Sequence, residues 1–72
     1  MSFNENLAAA RKEAKLTQQE VANHLGVLKK QVYRWEKDHQ EMGVYKLIEL
    51  CKLYNISADK LLGLSASDQG EN

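Results

Sequence analysis

Apolar residues recur along this chain at intervals of three and four, and strict alternation is nowhere sustained. The pattern predicts helices and no sheet. Phe3, Leu7, Ala10 and Ala14 fall on one stripe of a first helix, roughly residues 3–14. Ser2, three residues ahead of Glu5, reads as a capping box in which each side chain answers the other's free backbone amide. Thr17 and Glu20 repeat that signature. They open a short second helix with Val21, Ala22 and Leu25 inward, and Gly26 stops it as a left-handed cap. A third helix runs from about Lys29 to Lys37, followed by a polar loop over 38–43. A fourth, about 44–54, is expected to bury Val44, Leu47, Ile48, Cys51 and Tyr54, with Asn55 suited to its left-handed end. Ser57 caps a short fifth helix, with Asp59 near its positive pole. Leu61 and Leu62 are its expected buried contribution, and Gly63 closes it. After Leu64 the stretch 65–72 is small, polar and acidic, and is expected to be disordered. Residues 1–64 then form the one folded domain.

The third helix is the most informative surface. At 100° per residue, Leu28, Val32 and Trp35 share a narrow arc that should face the core. The opposite arc carries Lys29, Lys30, Tyr33, Arg34 and Lys37, with Gln31 and Glu36 at its borders. A merely solvated face usually mixes both signs of charge; this arc holds four cations and no acid. A helix fits the major groove of duplex DNA, where Lys and Arg donate to guanine, Gln pairs with adenine, and phosphates attract every cation. Gln18 and Gln19, at the start of the short helix before it, are placed to grip a phosphate.

Bulk numbers narrow the alternatives. The chain has 72 residues and 43% apolar content, enough for one small domain and too apolar for disorder throughout. The formal net charge is zero, which taken alone argues against a nucleic-acid partner. The distribution matters more than the sum. Residues 1–37 hold seven bases against four acids, a net of +3, and residues 38–72 hold three against six, a net of −3. The first residues lack the basic-then-apolar order of a secretory signal, and no apolar run approaches a membrane span. The lone Cys51 fits a reducing compartment, so a cytoplasmic protein is expected. An enzyme would have to use His24, His39, Cys51 and scattered acids. No pair of them has metal-ligand spacing and none looks like an activated nucleophile. No catalysis, cofactor, metal or small-molecule substrate is expected.

The stretch Leu16-Thr17-Gln18-Gln19-Glu20-Val21-Ala22, then Leu25-Gly26-Val27, then Val32-Tyr33-Arg34-Trp35-Glu36, resembles the phage repressor/Cro (XRE-type) helix-turn-helix family. The segment from Leu50 to Gly63 is similar to that family's fourth and fifth helices. The resemblance implies an all-α, five-helix, lambda-repressor-like DNA-binding domain whose helix-turn-helix is made by helices 2 and 3. It makes Lys29, Lys30, Gln31 and Arg34 the base readers, with Tyr33 contacting a base methyl or a phosphate. Gln18 matches the family's phosphate-binding residue, where it can also brace Lys29. Arg11 and Glu36 match a salt bridge tying the first helix to the third, and Arg11 can also touch a phosphate. Gln19, Lys37 and His39 complete the expected phosphate contacts. Three departures stand out. Leu28 occupies the usual Ser/Thr cap, Asp38 replaces a glycine, and the loop His39-Gln40-Glu41-Met42 lacks the common proline and some basic residues.

The implied function is a sequence-specific DNA-binding transcriptional regulator, a repressor from a bacterium or phage, bound as two copies to a roughly palindromic operator. The flank around Leu61, Leu62 and Leu64 is either ordinary core or the surface that pairs the copies. The rival reading is an antitoxin or protein-interaction adaptor on the same fold, using the acidic second half.

Overall fold

The computed structural model describes residues 2–37 and 42–64. It contains five helices: α1 Phe3–Glu13, α2 Gln18–Leu25, α3 Lys29–Lys37, α4 Val44–Tyr54 and α5 Ala58–Leu62. No strand occurs among the described residues. Met1, residues 38–41 (His39 and the Asp38 departure included) and the stretch 65–72 lie outside them.

Both capping boxes form. Ser2 Oγ accepts from the Glu5 amide at 3.2 Å, and Glu5 Oε1 accepts from the Ser2 amide at 2.9 Å. Thr17 Oγ1 and Glu20 Oε1 do the same at 3.0 and 2.8 Å. Gly26 ends α2 at φ +70°, and the Val27 amide folds back to the Ala22 carbonyl. The same carbonyl also accepts from the Gly26 amide, so one acceptor takes both amides that follow the last helical residue and closes the turn. Lys15 and Asn55 take the same left-handed backbone after α1 and α4.

The core is Leu7 and Ala10 of α1, Val21, Ala22 and Leu25 of α2, Val32 and Trp35 of α3, Leu50 and Tyr54 of α4, and Leu61 of α5. Phe3 and Ala14 flank it, partly buried. α2 packs against α3, and α1 lies against α3 and α5. Three helix ends are tied down by side chains from distant elements. Asn4 Nδ2 of α1 donates to the Trp35 carbonyl in the last turn of α3. Asn6 Nδ2 donates to the Leu61 carbonyl of α5 at 3.0 Å, and Lys46 Nζ of α4 to the Leu25 carbonyl of α2 at 3.0 Å. Each contact satisfies a terminal carbonyl that has no intrahelical donor, and Lys46 places its charge at the negative end of α2.

Three core expectations are corrected. α4 does not turn Val44 and Ile48 inward: both are exposed, while Leu50 is buried and Leu47 and Cys51 are half-buried. The helix is apolar nearly all round, so spacing alone offered more than one stripe, and the one actually buried is rotated by about 70°. Leu28 does not join Val32 and Trp35 in the core; it is 68% exposed. It precedes the first helical residue, so the helical screw that orients Val32 and Trp35 does not act on it. In α5, Leu61 is fully buried as core, whereas Leu62 is exposed, as is Leu64 beyond it.

Candidate nucleic-acid interface

α3 carries five charged residues along its length, and the fold sorts them by sign. Lys29, Lys30, Arg34 and Lys37 are exposed, together with Tyr33. Glu36, the acid of the helix, is buried at 8% exposure. Val32 and Trp35 anchor the inner side, and Gln31 is half-buried at the border.

Glu36 can be buried because its charge is answered. Arg11 Nε meets Glu36 Oε2 at 2.8 Å and Arg11 Nη2 meets Oε1 at 3.1 Å, the two-pronged geometry in which guanidinium and carboxylate match best. The hydrogen bond to Glu36 raises the Arg11 pKa above its ordinary value, against a smaller opposing effect of burial. A third donor, Arg11 Nη1, reaches the Leu16 carbonyl at 3.0 Å, in the turn between α1 and α2. One side chain therefore joins α1, the start of the helix-turn-helix and α3. Tyr54 packs within reach of this pair's field: burial, and then the Glu36 charge, hold its phenol well above the ordinary tyrosine range.

Gln18 Nε2 also donates to Glu36 Oε1, at 3.0 Å. The amide expected to brace Lys29 is thus fixed to the buried ion pair instead. Gln19 is exposed and donates to Asn23 Oδ1 at 2.9 Å along α2. The structure brings Gln18, Arg11 and Glu36 together, and sets Lys29, Lys30, Tyr33, Arg34 and Lys37 on the outer side of α3. Reading the sequence missed Asn4 and Lys46, which fix where α3 and α2 end. The signal for Asn4 was present: it stands three residues before the buried Leu7, on the inner stripe, where a polar side chain needs a partner.

A five-helix domain that presents a cation-lined third helix, steadied from behind by a buried ion pair, defines a class. A helix-turn-helix family model matches residues 7–61, and the chain belongs to that family in its phage-repressor (XRE) form. Among its relatives in Bacillus subtilis (strain 168), the HTH-type transcriptional regulator ImmR is 36% identical over 63 residues, covering 88% of this chain and 50% of ImmR. The uncharacterized HTH-type transcriptional regulator YqaE is 37% identical over 60 residues, covering 83% of this chain and 52% of YqaE. The chain spans about half the length of the curated relatives it matches. The P22 c2 repressor, solved in complex with a synthetic operator, superposes with a TM-score of 0.80 at 28% identity, over 90% of this chain and 98% of that one.

Proposed function

We propose that this chain is a sequence-specific DNA-binding transcriptional regulator, acting as a repressor with α3 in the major groove of a palindromic operator. The observation that carries the reading is the sorting of charge on α3, with Glu36 turned inward and Lys29, Lys30, Arg34 and Lys37 outward. The name of ImmR as a transcriptional regulator and the operator complex of the P22 c2 repressor support it. Lys29, Lys30, Gln31, Tyr33 and Arg34 face base edges; Gln18, Gln19 and Lys37 hold phosphates, joined by His39. Arg11 acts mainly as a positioning residue, since three of its donors are spent inside the domain. Two copies bind half-sites about one helical turn apart, with the exposed Leu62 and Leu64 at their contact. The domain is a binding module without catalysis, working in the cytoplasm of a bacterium or on behalf of a phage. No described helix is long and apolar enough to cross a membrane.

A fluorescence-anisotropy titration with labelled duplexes tests this. Phosphates neutralised by cationic side chains predict a steep loss of affinity between about 50 and 200 mM salt. Absence of binding at low salt would favour the adaptor reading.

A further inference from the structure

We propose that Leu28 is a base-reading residue whose exposed isobutyl group receives the 5-methyl group of a thymine, beside an adenine read by Gln31. The proposal deepens the DNA-binding reading and rests on it. Leu28 is 68% exposed and immediately precedes α3, the end at which a recognition helix meets base edges. Among residues 28–31 it is the apolar one; Lys29, Lys30 and Gln31 offer hydrogen-bonding groups. A leucine is a poor choice here for the isolated domain. It cannot accept a hydrogen bond from the free amides of the first turn, as Ser, Thr, Asn or Asp would, and it leaves most of its side chain facing water.

Its neighbours suggest what repays that arrangement. Leu28 and Gln31 line the same open depression, together with Val27, Trp35, Gly43 and Lys46. In the major groove an A·T pair presents adenine N7 and N6 next to the thymine methyl. An amide and an isobutyl group lining one depression match those features. A cytosine in place of the thymine would set a polar amino group against Leu28, so the same contact that welcomes the methyl rejects the alternative base.

The test begins with duplexes selected from a random pool by the full chain. In the tightest binder each thymine is replaced in turn by deoxyuridine, which differs only in lacking the methyl. The wild-type chain is expected to lose about fourfold in affinity at one thymine of each half-site, the worth of one buried methyl group. Leu28→Ala should bind the thymine duplex more weakly and show no difference between thymine and uracil there, while Leu28→Met keeps the difference. Because Leu28 lies outside the core, circular dichroism should show both variants folded. Tight binding of a selected duplex with no uracil effect that depends on residue 28 would overturn the role of Leu28 and leave the DNA reading intact. Failure to select any duplex would remove both together.

Discussion

Glu36 Oε1 accepts from two side chains at once, Gln18 Nε2 at 3.0 Å and Arg11 Nη2 at 3.1 Å. The proposed phosphate anchor and the ion pair that holds α1 against α3 are therefore one assembly. Removing either charge leaves the other with little solvent, since the side chains of Arg11 and Glu36 are 12% and 4% exposed. Glu36→Gln should destabilise the domain by about 3 kcal/mol, because an unpaired charge inside a protein is costly. The double variant Arg11→Met, Glu36→Leu should lose less than Glu36→Gln alone. Urea unfolding of the two measures this; a larger loss in the double variant would mean that the pair itself supplies the stability.

Asn4 ties α1 to the last turn of α3 through the Trp35 carbonyl. Asn4→Ala strands that carbonyl in a site where Asn4 is 7% exposed, and should cost about 1–3 kcal/mol. Amide exchange in the last turn of α3 should accelerate in this variant more than in α5.

Leu28 carries the opposite expectation. Leu28→Ser supplies the missing acceptor at the start of α3 and should stabilise the domain by about 1 kcal/mol, raising Tm by about 4–8 °C. A gain in Tm accompanied by lost base discrimination would show a residue chosen for contact over stability. A fall in Tm would mean that Leu28 packs more than its exposure suggests.

Tyr54 predicts how the fold responds to alkali. Its folded pKa is raised above the ordinary value of 10.0, so the folded state holds that proton longer than the unfolded chain. The group's contribution is fully present below pH 10.0 and is lost as pH climbs beyond it toward the folded value. Absorbance titration should show the Tyr54 phenol ionising only together with unfolding. Tyr54→Phe should lessen the steepness of alkaline destabilisation; an unchanged slope would assign it to other groups.

Local signals made most of this fold legible. Ser2 with Glu5, Thr17 with Glu20, Gly26, Asn55 and Gly63 each act through neighbours three to five residues away, and all mark helix ends as expected. What stayed hidden acts over distance. The Asn4–Trp35, Asn6–Leu61 and Lys46–Leu25 contacts span 31, 55 and 21 residues, and helical spacing carries no information about partners so far along the chain. α4 defeated the stripe argument because Val44, Tyr45 and Ile48 are as apolar as the residues it buries, and Tyr45 is 82% exposed. On α3 the cationic side was plain from spacing. The inward turn of Glu36 was visible only through the family resemblance, since spacing put it at a border.

Base-pair discrimination by two variants probes the central claim, that the outer side of α3 reads sequence while Gln18 anchors. Affinities of wild type, Arg34→Ala and Gln18→Ala are measured on a selected duplex and on every single-pair substitution of it. Arg34→Ala should erase about 1–3 kcal/mol of preference at one base pair per half-site and leave the other preferences standing. Gln18→Ala should lower affinity for all the duplexes by a common factor. Equal, sequence-independent losses in both variants would contradict the account.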